Sequence, residues 1–160
     1  MNRKLARYAL LTALAMTLSW LESLLPAPGL LPGMKLGLAN LTVVFALYRL
    51  SWKEAAGISL ARVLLTAMTF GNAYSLAYSL AGAALSLTVM AGLKKWDRFS
   101  ILGVSIAGGV CHNIGQILVA AAVLETAALG WYLPVLMVSG TAAGIVIGAA
   151  GGWIVKRVRA

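Results

Sequence analysis

A few polar side chains interrupt segments that are otherwise apolar, and these are the residues that could do chemistry. They are Glu22, Asn40, Arg62, Asn72, His112, Asn113, Gln116 and Glu125. Polar groups within apolar membrane segments are costly, so each is a candidate functional residue. Arg62 lies about nine residues into its segment, or roughly 13 Å at 1.5 Å per residue of helix. It needs an acidic partner, a cage of carbonyls or an anionic ligand, and Glu22 is the carboxylate placed to pair with it. Both an ion pair and an anion site remain open.

Three further polar groups fall within one turn of a single segment. His112 and Gln116 are four residues apart and share a helix face, and Asn113 lies between them. Gly108, Gly109 and Gly115 open space beside them. Such residues either form ordinary hydrogen bonds in a core or line a polar pocket. A neutral imidazole could bond to a carbonyl there, and a protonated one could hold an anion.

Lys35 and Asn40 flank the turn into another apolar segment. Lys35 is either an anchor at the membrane interface or a residue at a pocket mouth. Together, Arg62, Lys35 and His112 could form a cationic substrate site with Asn40, Asn113, Gln116 and Glu22. That site would suit a phosphate, a carboxylate or a quinone-like head group, with apolar side chains receiving the rest of the ligand.

The sequence has too few residues of certain types for several kinds of chemistry. One cysteine (Cys111) and one histidine are too few for zinc or iron–sulfur sites. The chain has no Walker A motif, and its one aspartate, Asp97, cannot form the paired Asp-rich motifs that hold Mg-diphosphate. We therefore predict no catalytic residue, no metal and no cofactor.

The composition predicts an integral membrane protein. Of 160 residues, 61% are hydrophobic and 11% are charged, and the mean hydropathy is +0.91. Soluble domains are nearer half apolar and a quarter charged. The net charge of +9 suggests nucleic acid, but the basic residues cluster at the ends of apolar runs instead of forming a stripe. We predict a single transmembrane domain over residues 1–160 and no nucleic-acid partner.

The elements that must position these residues are six predicted helices. They cover residues 5–25, 35–49, 53–70, 73–93, 100–124 and 133–155, which makes the fold an all-α membrane bundle. Residues 26–33 contain three prolines and two glycines, and we expect them to cap the outer mouth. Residues 94–98 and 125–132 are predicted loops. We interpret the basic, then apolar, start of the chain as the first helix and not as a signal peptide.

The basic residues predict the orientation. Eleven of the 13 fall on one side of this topology: Arg3, Lys4, Arg7, Arg49, Lys53, Lys94, Lys95, Arg98, Lys156, Arg157 and Arg159. Lysine and arginine favour the cytoplasmic side. The pattern predicts a multi-pass protein of the bacterial inner membrane with both termini in the cytoplasm.

Small residues mark two helix faces. Gly140, Gly144, Gly148 and Gly152 are spaced four apart in the last helix, which favours close packing inside the bundle. Ala9 and Ala13 have the same spacing in the first helix. This second pair is either packed inside the bundle or contacts a partner membrane protein.

Three stretches resemble a known bacterial family. They are residues 32–40 (PGMKLGLAN), 78–82 (YSLAG) and 108–116 (GGVCHNIGQ). They are similar to the Gx transporter family, also known as heptaprenyl diphosphate synthase component I. That family in turn resembles the substrate-binding S components of energy-coupling-factor (ECF) transporters. Those are six-helix proteins in which an Ala-x-x-x-Ala face of helix 1 meets the transporter module, and Ala9 and Ala13 fit that motif.

Three functions follow as expectations. The first is a substrate-binding subunit for a small anionic, isoprenoid or quinone-related compound, powered by a separate module of ATPases and a T component. The second is the membrane subunit of a heptaprenyl or polyprenyl diphosphate synthase, which assists a separate catalytic subunit in making the menaquinone side chain. The third is a membrane partner in quinone-linked electron transfer. None of the three requires the chain itself to be an enzyme.

Overall fold

The computed structural model describes residues 3–24 and 37–158 of the chain. Within them it contains α-helices, one short 3-10 helix and no strand, which confirms the all-α prediction. The α-helices are α1 (Arg3–Leu24), α2 (Asn40–Arg49), α3 (Trp52–Thr69), α4 (Ala73–Trp96), α5 (Ile101–Val123) and α6 (Leu133–Arg157); the 3-10 helix is Ala127–Tyr132.

Side-chain caps explain where three of the helices begin. Ser51 accepts a hydrogen bond from the Glu54 amide before α3, and Ser100 caps α5 in the same way. Before α4, Asn72 and Ser75 form a reciprocal capping box. Each cap satisfies an amide that has no partner within its own helix. The polar Asn72 is thereby explained as a cap.

The predicted start of the second helix was wrong, because it was placed too early in the chain. Helix α2 begins at Asn40 and not at residue 35, because Gly37 has a φ of +92° and the next two residues form a turn. The predicted cap (residues 26–33) and Lys35 lie outside the described residues. The 10 residues of α2 rise about 15 Å, which is half of the roughly 30 Å hydrocarbon core of a bilayer.

Two predicted loops were also too long. Helix α4 continues through Lys94 and Lys95 to Trp96, and it ends where Asp97 adopts a left-handed φ of 56°. In the segment 125–132, residues Ala127–Tyr132 form the 3-10 helix. Glu125 is an exposed turn residue with a φ of 48°, so it does not face the interior.

Three described helices are long and apolar enough to cross a membrane. They are α4, α5 and the continuous helical segment Ala128–Arg157. Many large apolar side chains on the outside of the bundle are exposed, including Leu10, Met68 and Val138. Lipid can cover such a surface, so these features indicate a membrane protein.

Contacts at one end of the bundle show that successive helices alternate in direction. The Tyr8 hydroxyl donates to Glu54, which joins the starts of α1 and α3. Arg49 donates to the Val155 carbonyl, which joins the ends of α2 and α6. Lys94 donates to the Leu47 carbonyl at the end of α4. The basic residues at helix ends therefore gather at this end, which we call the basic end.

Helix α5 packs against α4 and α6 through glycines. A Cβ atom on Gly109 would lie 2.3 Å from the Gly140 carbonyl oxygen, and one on Gly144 would lie 2.5 Å from the Ile106 Cα. These distances leave no room for a side chain. The predicted glycine face of α6 thus lies directly on the α5 backbone at Gly140, Gly144 and Gly148.

Gly144 and Gly152 provide a matched pair for testing this packing. Alanine normally stabilises a helix relative to glycine by about 1 kcal/mol. We expect Gly152→Ala to be neutral or stabilising, because the nearest atom to its Cβ is 4.0 Å away. Gly144→Ala should instead lower the melting temperature in detergent, since α5 and α6 must separate. Equal melting temperatures of the two variants would contradict the close contact.

Candidate functional site

The candidate site begins with a buried arginine between α1 and α3. Arg62 is 3% exposed, and its Nη1 donates to the Ser19 hydroxyl over a long 3.4 Å. Within the described residues, its Nε and Nη2 atoms have no hydrogen-bond partner. Since a guanidinium offers five donors and remains charged in proteins, this site has capacity for an acceptor or an anion.

Helix α1 supplies the acid beside this arginine. Glu22 lies one turn after Ser19, is 6% exposed, and its negative charge acts on Arg62. Its Oε1 also accepts a hydrogen bond from the Gly37 amide. The carboxylate therefore connects the buried charge of α3 with the turn that precedes α2.

Gly37 brings three candidate residues together. A Cβ atom on it would lie 3.0 Å from Asn40 Nδ2 and 3.5 Å from His112 Cδ2. Its φ of +92° is one that side-chain-bearing residues rarely adopt. Glycine at this position thus allows Glu22, Asn40 and His112 to meet around one turn, although they belong to α1, α2 and α5.

The imidazole of His112 is enclosed by glycine on its other side. It is 2% exposed, and a Cβ atom on Gly82 of α4 would lie 2.9 Å from its Nδ1 and Cε1 atoms. Gly82 therefore makes room for the ring. Gln116 is one turn further along the same face of α5 and is 1% exposed.

Asn113 points to a different neighbour from His112. Its Nδ2 donates to the Leu136 carbonyl at 2.7 Å and to the Ser139 hydroxyl at 3.1 Å. Both acceptors belong to α6. The structure places this amide in the contact between α5 and α6, and not with Arg62.

The structure thus separates the sequence-predicted site residues. Glu22, Asn40 and His112 meet around Gly37, and Arg62 interacts with Glu22. Asn113 joins α5 to α6, and Lys35 lies outside the described residues. Ala9 and Ala13 are exposed on α1, so they do not pack inside the bundle.

Sequence reasoning missed two hydroxyl groups at this site. Ser19 and Thr66 are buried at 0% and 3% exposure, and the Thr66 hydroxyl has no partner among the described residues. Their spacing held a signal. Ser19 is three residues before Glu22 and Thr66 is four after Arg62, so each shares a helix face with its charged neighbour.

This cluster of buried polar side chains can hold an anion or a polar head group. Among the described residues, no group of three or more His, Cys, Asp or Glu side chains is placed to bind a metal ion. Fold and site together define an all-helical, membrane-type bundle with a buried polar interior.

A comparison with known protein families identifies the family of this chain. The family model of heptaprenyl diphosphate synthase component I matches residues 11–154, and the chain belongs to that family. All three stretches that carried the resemblance lie within the matched range. No curated protein and no solved structure matches the chain significantly. The resemblance to ECF S components stays a prediction.

Proposed function

We propose that this protein is the membrane subunit, component I, of a polyprenyl diphosphate synthase. The family match over residues 11–154 carries this proposal. Catalysis resides in a separate subunit, because this chain has a single aspartate and Mg-diphosphate needs several carboxylate oxygens. The membrane subunit binds the apolar product or its precursors and assists elongation at the bilayer surface.

The proposed membrane orientation places the basic end in the cytoplasm of a bacterium. It is supported by the alternating helices, which gather the basic residues of α1, α3, α4 and α6 at one end. Helices α1 and α3 have 22 and 18 residues, about 33 and 27 Å at 1.5 Å per residue, and they cross beside the three most apolar helices. Helix α2 returns the chain from mid-bilayer to the cytoplasmic side.

Reconstitution tests this function directly. The purified chain in liposomes should not elongate farnesyl diphosphate with isopentenyl diphosphate and Mg²⁺. Adding it to the Asp-rich catalytic subunit should lengthen the product, which chromatography of the extracted lipids measures. Elongation by this chain alone, or an unchanged product length, would contradict the proposal.

A second candidate function is favoured by the buried arginine. A substrate-binding subunit of a transporter needs interior groups that are able to bind a ligand. The Nε and Nη2 atoms of Arg62 are such groups, because they have no hydrogen-bond partner in the described part of the chain. In this function the bundle binds an anionic compound around Arg62, Glu22 and His112. A separate ATPase module drives its release and contacts the exposed Ala9 and Ala13 on α1. The quinone-linked function stays a prediction.

This second function predicts a specific defect when the α1 face is enlarged. Replacing Ala9 and Ala13 with Leu should prevent co-purification with an ATPase module, because the small side chains allow close helix contact. Ligand retention should be unchanged, since both residues are exposed. Ala122→Leu, an exposed alanine of α5, is the control. Equal recovery of ATPase subunits with all variants would rule out this surface.

A further inference from the structure

An apolar groove lies on the outside of the bundle between α1, α2 and α6. Its volume is about 290 Å³, and its lining is almost entirely hydrocarbon, including Leu10, Leu14, Leu41, Phe45 and Ile154. Leu10 and Leu14 are 70% and 47% exposed. The groove is therefore open to the surrounding lipid along its α1 side.

One end of this groove is positively charged. Arg7 lines the groove, and so does Val158, which follows the last turn of α6 with its Lys156 and Arg157. The exposed Arg7 thus stands where the apolar lining meets the basic end of the bundle.

We propose that this groove binds the first isoprene units of a polyprenyl diphosphate, with the diphosphate held at Arg7. The inference rests on the proposed function, and it assigns that function a substrate site separate from the Arg62 cluster. The chain lies along α1 from Arg7 towards Leu14, a span of about 10 Å at 1.5 Å per residue. The remainder of a long tail passes through the open side into the bilayer.

Size and charge favour this ligand over a bilayer phospholipid. The groove has a volume of about 290 Å³, which suits a short length of one hydrocarbon chain better than the two chains of a phospholipid. A diphosphate carries more negative charge than a phosphodiester, and charge-assisted hydrogen bonds to arginine strengthen with that charge. The groove also opens at the end of the bundle where a soluble catalytic subunit could reach the diphosphate.

The test measures binding of radiolabelled farnesyl diphosphate to the full chain in phosphatidylcholine nanodiscs, with empty nanodiscs as background. Leu14→Trp should fill the groove, and Arg7→Gln should remove the diphosphate partner. Each should weaken binding about tenfold, the ratio that corresponds to the loss of one charge-assisted hydrogen bond. Farnesol, which has no diphosphate, should compete poorly with the probe for the wild-type protein. It should bind Arg7→Gln as well as it binds the wild type.

The chain offers a matched control for each substitution. Leu21 is 44% exposed on the same helix as Leu14 but does not line the groove, so Leu21→Trp should bind normally. Arg3→Gln removes an exposed charge one turn before Arg7 and should have a much smaller effect. Wild-type binding no better than empty nanodiscs, or equal binding by all four variants, would overturn the proposal. Displacement of the probe by equimolar phosphatidylglycerol would identify a phospholipid site and would also overturn it.

A further measurement separates this inference from the proposed function. Leu14→Trp and Arg7→Gln should still co-purify with an Asp-rich synthase subunit. Intact co-purification with no probe binding by the wild type would reject the groove alone. Specific probe binding without any synthase partner would reject the synthase subunit and leave the isoprenoid site standing.

Discussion

Replacing Arg62 with Met should remove any anionic compound that the bundle retains during purification, while the protein remains folded. Methionine has nearly the shape of the arginine stem but no charge. Losing one buried, hydrogen-bonded charge partner costs about 2 kcal/mol or more, which is at least a thirtyfold loss of affinity. The fold should persist because a buried carboxyl group such as Glu22 can take up a proton once the cation is gone.

Mass spectrometry of compounds released from the purified protein measures this effect. Lys53→Met is the control, because Lys53 is an exposed cation in the first turn of the same helix. If Arg62→Met retained the same anionic compound in the same amount as Lys53→Met, the interior would not be an anion site. Arg62 would then act only through its charge interaction with Glu22.

Glu22→Leu should be the most destabilising of the single substitutions considered at this site. It leaves the Arg62 guanidinium buried without its counter-charge, and that group does not lose its proton in proteins. Leaving a buried charge uncompensated typically costs about 3–5 kcal/mol. The Gly37 amide would also lose its acceptor.

A double-mutant cycle isolates this interaction. The variant that combines Glu22→Leu with Arg62→Met should be more stable than Glu22→Leu alone, since no buried charge remains. Thermal unfolding in one detergent measures all three variants. If the effects of the two substitutions on stability were additive, Glu22 and Arg62 would contribute to stability independently. That result would contradict the charge interaction between them.

Much of the fold was predictable from the pattern of apolar segments and their caps. Five of the six helices were predicted to within three residues at each end, because apolar runs and the polar or Pro/Gly segments between them mark the helices. The start of α2 was not predictable in this way. Residues 35–39 read as a continuation of the helix, whereas Gly37 has a φ of +92° and lies beside His112 of α5.

The residue types of the site were predictable, and so was the interaction of Glu22 with Arg62, but the neighbours of His112 and Asn113 were not. Glu22, Arg62 and His112 were identified because polar groups are rare in apolar helices. Adjacent residues of one helix point about 100° apart, which is why His112 and Asn113 contact different helices. Sequence spacing shows that they diverge but does not identify which neighbour each one faces. The groove beside Arg7 gave no sequence signal, since residues from three helices form it.

The most direct test of the account is quantitative mass spectrometry of proteins that co-purify with this chain from native membranes in mild detergent. The synthase function predicts a stoichiometric Asp-rich subunit and isoprenoid diphosphates. Recovery of an energy-coupling ATPase module with a bound anionic compound, and of no synthase subunit, would contradict it and would establish the transporter function in its place.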